Sequence, residues 1–161
     1  MQNLNEIRTS NWVLRLPADW TDLHDLDKGF HFESRDGTKG LFIATHVIGP
    51  EHQSSVQELT EWFVAAEMST LAHMDGYLWT IRERSLEEAP DACVGLLDSF
   101  ARAQDYRIVA KILSRPGQVI RASFHDYNCH GYAVSSAYFA GILDSLHFLE
   151  LQAGRAGAIL H

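Results

Sequence analysis

The stretch His125-Asp126-Tyr127-Asn128-Cys129-His130 sets one thiol, two imidazoles and a carboxylate side by side. A cysteine nucleophile needs an imidazole to hold its thiolate, and a metal needs three or four such ligands converging on one point. On an extended chain, adjacent side chains point to opposite faces, so Cys129 and His130 diverge, and their spacing follows no zinc pattern. The stretch therefore reads as polar residues in a strand-to-helix turn. A catalytic or metal centre on His125, Cys129 and His130 is the alternative.

The other candidates for chemistry are weaker. His24, His31 and His46 crowd the amino-terminal half, and His31 approaches His46 if a hairpin pairs between them, but no close sequence pair accompanies them. Asp19, Asp22, Asp25 and Asp27 lack the order and central glycine of a calcium loop, and read as a solvated segment. No phosphate-cradling loop, dinucleotide fingerprint or nucleophile elbow occurs in the sequence. No cofactor is expected. Tyr77, Trp79 and Ile81 alternate with Leu78, Thr80 and Arg82, and this aromatic set reads as packing on a half-buried strand rather than as a ligand platform.

Strand parity singles out a set of cations. If Ile108, Ala110 and Ile112 face the core, Arg107 and Lys111 point away from it. If Ile120, Ala122 and Phe124 do likewise, Arg121 joins them, and Arg82 and Arg84 share that parity on their own strand. The expectation is one cationic face on an acidic protein, formed by Arg82, Arg84, Arg107, Lys111 and Arg121, with a partner segment docked on it.

These residues hang on a legible frame. Trp12, Leu14 and Leu16 alternate with Val13 and Arg15 up to Pro17, giving a first strand. Phe30 and Phe32, the turn Arg35-Asp36-Gly37-Thr38 and the run Leu41 to Ile48 form a hairpin. Ser55 and Glu58 have capping-box spacing, and Val56, Leu59, Trp62, Phe63, Ala66 and Met74 make the apolar stripe of a helix over 56–74, closed by Gly76. Trp62 and Phe63 are expected to anchor it. Four strands follow over 77–85, 93–102, 106–114 and 119–127, joined too tightly for anything but an antiparallel meander. A second helix, capped at Ser135 or Ser136, buries Tyr138, Phe139, Ile142, Leu143 and Leu146. The fold class is α+β, an α/β sandwich on an antiparallel sheet of about seven strands, ordered β-β-β-α-β-β-β-β-α.

The opening Trp12-Val13-Leu14-Arg15-Leu16-Pro17-Ala18-Asp19-Trp20, the strand Gly40-Leu41-Phe42-Ile43 and the closing Tyr138-Phe139-Ala140-Gly141-Ile142-Leu143-Asp144-Ser145-Leu146 resemble the PsbP-like superfamily. That superfamily takes in the photosystem extrinsic protein, the Ran-binding Mog-type factor and bacterial DcrB and Eag chaperone-like domains. The resemblance spans nearly the whole chain as hydrophobic framework and carries no catalytic motif. It implies one PsbP-like domain over 1–151, with an Ala- and Gly-rich tail over 152–161, and a role in binding or assembly.

Composition sets the outer bounds. The 161 residues are 46% hydrophobic and 21% charged, an ordinary globular balance for one domain. A formal net charge of -8 argues against broad contact with nucleic acid or anionic lipid. Residues 1–76 hold five Lys and Arg against twelve Asp and Glu, so the front half carries most of that charge. The polar start Met1 to Ser10 is no secretory signal, no apolar run spans a membrane, and a cytoplasmic location with Cys93 and Cys129 unpaired follows as an expectation. The sequence thus points to a cytoplasmic, non-enzymatic protein-binding module, an adaptor or secretion-type chaperone, whose partner is an acidic or amphipathic segment of another protein. A homo-oligomeric structural subunit is a third reading.

Overall fold

The computed structural model describes residues 3–25 and 29–150. The tail expected over 152–161 lies outside the described residues, as does Asp27 of the acidic run. Ten strands and two helices follow in the order β1 (Leu4–Arg8), β2 (Trp12–Pro17), β3 (Thr21–Asp22), β4 (Phe30–Glu33), β5 (Lys39–Val47), α1 (Val56–Ala72), β6 (Thr80–Ala89), β7 (Ala92–Ala101), β8 (Tyr106–Arg115), β9 (Gln118–Asp126), α2 (Tyr132–Ser145) and β10 (His147–Phe148). All pairings are antiparallel, and the strands form two sheets, β1-β2-β10 and β3-β4-β5-β9-β8-β7-β6. The α+β class and the seven-stranded sheet stand, with one exchange of members. Trp12–Pro17 belongs to the small sheet, and the short strand Thr21–Asp22 takes its place in the large one. The segments β1, β3 and β10 were not expected because a polar run and two-residue strands carry no alternating apolar signal.

Local chemistry fixes the turns. In the β4–β5 hairpin, Asp36 Oδ1 accepts from Thr38 N, Thr38 Oγ1 and Ser34 Oγ, and Gly37 takes a φ of 72°. These three bonds hold the Asp36 carboxyl well below the usual carboxylate range, at about 2. After β5 the chain cannot turn back directly, because β9 occupies its free edge. Helix α1 therefore carries it across one face to the far edge, where β6 begins the meander that returns to β5.

The meander sets two faces. On β8, Val109 and Leu113 join a core with Trp12, Leu14, Leu16, Phe124, Phe139 and Ile142, beneath α2 and the small sheet. Ile108, Ala110 and Ile112 join a second core with Phe63, Val64, Leu71 and Leu97, beneath α1. Both faces of this strand are buried, so its sequence reads as a near-continuous apolar run.

Helix α1 begins at Ser55, whose Oγ accepts from Glu58 N at 3.1 Å. Its buried stripe is Thr60, Phe63, Val64, Glu67 and Leu71. Phe63 anchors as expected, but Trp62 is 66% exposed and does not. The helix is rolled by what lies beneath it. A Cβ on Gly95 would stand 2.7 Å from Thr60 Cγ2 and 2.8 Å from Val64 Cγ2, so the bare backbone of β7 is what lets α1 seat on these residues. Thr60 and Glu67 then find polar partners in Ser114 and Arg121. The helix ends at Ala72, and Gly76 takes its φ of 85° in the turn beyond rather than at the helix terminus. Helix α2 is capped at Gly131, four residues before Ser135 and five before Ser136, and Ser135 lies buried inside it.

Candidate binding surfaces

The five cations do not share a face. Register pairs Ile112 with Arg121, Ala110 with Ser123 and Ile108 with His125, and paired residues across an antiparallel ladder project to the same side. Arg121 is therefore on the α1 side, while Arg107 and Lys111 are on the α2 side. The expectation failed because it took Ile108 and Ile120 to face one core, when each faces a different one.

Among the described residues, four of the five have a local partner. Arg107 is buried and donates from Nε and Nη2 to Asp98 at 3.0 and 2.9 Å, and from Nη1 to Ser135 Oγ at 3.1 Å. Tyr132 OH donates to the same carboxylate. Lys111 Nζ donates to the Leu143 and Leu146 carbonyls at the end of α2, and burial pushes its pKa down. Arg121 Nε donates to Glu67 on α1. Arg82 lies 4.1 Å over the Tyr132 ring, at a β-bulge in β6. Arg84 is exposed on the α1 side, opposite Leu97.

His125, Cys129 and His130 are separated too. Cys129 is buried, its Sγ 3.8 Å from the Gly131 carbonyl, and burial pushes its thiol up, away from the thiolate a nucleophile needs. His130 sits on the surface with Nδ1 3.3 Å from Asp105. Among the described residues, no group of three His, Cys, Asp or Glu side chains could hold a metal. Cys93 and Cys129 are free and buried, as expected.

His125 belongs instead to a cleft of about 420 Å³ between the end of α1 and strands β5, β9 and β8. Its Nδ1 is 2.6 Å from Tyr106 OH and its Nε2 is 2.7 Å from Ser123 Oγ. Burial, then Arg121 and His31, bring its pKa down to about 4, so the ring is neutral at pH 7. Around it rings meet in sequence: His31 stacks on Phe42 at 4.2 Å, Phe42 meets His125 edge-on at 5.3 Å, and Tyr127, Tyr106, Tyr77 and Trp79 continue the row at 5.5 to 5.7 Å. Part of this was legible: Ser123 and His125 two apart on one strand must share a face. Tyr106 needed the β8–β9 register.

The second recess, about 750 Å³, is open and lies between α1 and β6, lined by Glu58, Glu61, Trp62, Ala65, Arg84 and Leu86. Trp62 meets Phe63 edge-on at 5.2 Å and presents most of its indole to the outside. Parity on α1 could not reveal this, because Trp62 and Phe63 are adjacent and the roll of the helix decides which goes in. No helix among the described residues is long and apolar enough to cross a membrane.

Two layers of helix and small sheet around a seven-stranded antiparallel sheet define an α+β protein with the PsbP/Mog1 fold. The chain is similar to the cyanobacterial PsbP, CyanoP, of Synechocystis sp. PCC 6803, with a TM-score of 0.66 at 9% identity over 92% of this chain and 94% of that one. It is similar also to the Ran-binding protein Mog1p of Saccharomyces cerevisiae, with a TM-score of 0.57 at 10% identity over 91% of this chain and 96% of that one. No family model matches the chain, and no curated protein matches it in sequence.

Proposed function

We propose that this chain is a non-enzymatic protein-binding module, an adaptor or chaperone-like protein, that captures a segment of another protein in the recess between α1 and β6. The observation that carries this is Trp62, held two-thirds exposed at the rim of that recess. Tryptophan and arginine are the residue types that most often anchor interfaces, and here Trp62 and Arg84 line one groove with Leu86 as its apolar floor. Glu58 and Glu61 give the groove an acidic flank on an already acidic protein, which favours an amphipathic segment with an apolar residue set among basic ones. An acidic segment, the partner expected for a cationic face, is disfavoured. The likeness in fold to a Ran-binding protein adds support to a protein partner. A cytoplasmic setting, in which Cys93 and Cys129 stay reduced, is part of the same proposal.

Peptides selected from a displayed random library against the folded protein test the reading. Winners enriched in an apolar residue flanked by Lys or Arg, which bind wild type and not Trp62→Ala but still bind Leu78→Ala, support it, since Leu78 is equally exposed elsewhere. Winners indifferent to Trp62 overturn it. A light-scattering mass of two copies that reverts to one in Trp62→Ala would replace the foreign segment by a second copy of this chain.

A further inference from the structure

The cleft around His125 has a proton count that leaves something over. Tyr106, His125 and Ser123 form a chain of two hydrogen bonds, at 2.6 and 2.7 Å. With the imidazole neutral, the three groups own three polar hydrogens: two hydroxyls and one ring N–H. Two are used in the links and one is not. Whichever tautomer His125 adopts, the unused hydrogen is at an end of the chain, on Ser123 or on Tyr106, and both of these line the cleft. Neither hydroxyl makes any other hydrogen bond among the described residues. The remaining walls are apolar where they matter for size: Phe42, Leu71, Met74 and Ile108.

The charge of the site decides between ligand classes. Arg121 is the cation in the cleft, and Glu67 on α1 already neutralises it. An incoming carboxylate would meet Glu67 without a free counter-charge, and an incoming cation would meet Arg121. A carbonyl oxygen needs no more than one O–H donor and an apolar body, and a volume of about 420 Å³ is within the range of small-molecule sites.

We propose that this cleft binds a small, uncharged, largely apolar molecule carrying a carbonyl-type acceptor, which takes the unused hydroxyl hydrogen of the Tyr106–His125–Ser123 chain. The site is separate from the Trp62 recess, so either can fail without the other. Acetophenone, ethylbenzene and benzoate serve as probes of matched shape, titrated at pH 7 and followed by amide shifts of Phe42, Leu71 and Ser123. The ketone should bind in the cleft about three- to tenfold more tightly than the hydrocarbon, the worth of one hydrogen bond, and benzoate more weakly than the ketone. Bound acetophenone should show a carbonyl stretch lowered from its value in alkane solvent. Ser123→Ala withdraws the donor by one hydrogen-bond length, and Tyr106→Phe removes the hydroxyl at the other end. The ketone's margin should shrink in one of them while ethylbenzene binds as before. Thr70→Trp, at an exposed position of α1 on the rim, should exclude all three probes without lowering the melting temperature. Absence of saturable shifts in the cleft, tighter binding of benzoate than of the ketone, or a margin kept in both hydroxyl variants would overturn the proposal.

Discussion

The two faces of the seven-stranded sheet are closed in different ways. Beneath α2 and the small sheet, Trp12, Leu14, Leu16, Phe124, Phe139 and Ile142 fill the space with apolar side chains, and the ion pair of Arg107 with Asp98 at its border is almost wholly desolvated. Beneath α1 a single helix covers the sheet, its inward stripe contains Thr60 and Glu67, and a cleft opens at its end. A face closed by two layers supplies stability. Recesses open on both faces, including one between α2 and β6–β8 lined by Asp98, Arg107, Lys111 and Tyr132, but the exposed Trp62 and the neutral His125 both belong to the α1 side.

The sharpest test of this contrast compares the ion pairs. Asp98→Ala leaves Arg107 charged and unpaired among buried groups, and should cost about 3–5 kcal/mol by denaturant unfolding. Glu67→Ala frees a guanidinium that is one-third exposed, and should cost about 1 kcal/mol or less. Equal losses would break the comparison. The aromatic anchors follow in the same direction: Phe139→Ala should cost about 4 kcal/mol and Phe63→Ala about 3 kcal/mol, because the rim of the α1 face can relax around the cavity.

A smaller effect belongs to pH. His125 has a pKa of about 4 in the folded protein, lowered chiefly by burial and further by Arg121 and His31, against about 6.5 in an unfolded chain. Between these values the unfolded state binds more protons, so stability falls as pH falls. The contribution is fully present above about pH 6.5, is lost as pH approaches 4, and amounts to about 3 kcal/mol at most. Melting curves of wild type and His125→Gln from pH 7 to pH 4 should converge toward the acid end. The smallest expected effect is at Trp62: Trp62→Ala should change stability by about 0.5 kcal/mol or less, since little of the indole is buried, whatever it does to a partner.

Much of the frame was legible in the residues. Alternation from Trp12 to Leu16, the Asp36-Gly37 turn, the Ser55 cap and the tight links of the meander each depend on neighbours in sequence, and each is found where the pattern put it. The candidate site was less legible. Arg107 and Arg121 have equivalent local patterns, an arginine before an apolar residue on a strand, yet one is sealed under α2 and the other pairs with α1. Likewise, Cys129 and His130 stand beside His125 in sequence and share no site with it, whereas Tyr106 and Ser123 do.

The amino-acid sequence by itself determined the elements, their antiparallel order and the apolar residues that must leave water, because those follow from periods of two and 3.6 residues and from turn chemistry. Only the tertiary structure decided which face each strand's polar residues joined. When both faces of a strand are covered, parity no longer distinguishes inside from outside, and the outcome is set by long-range contacts such as the bare backbone of Gly95 under Thr60 and Val64. That contact rolls α1, puts Trp62 outside and Glu67 beside Arg121, and no pattern local to the helix contains it.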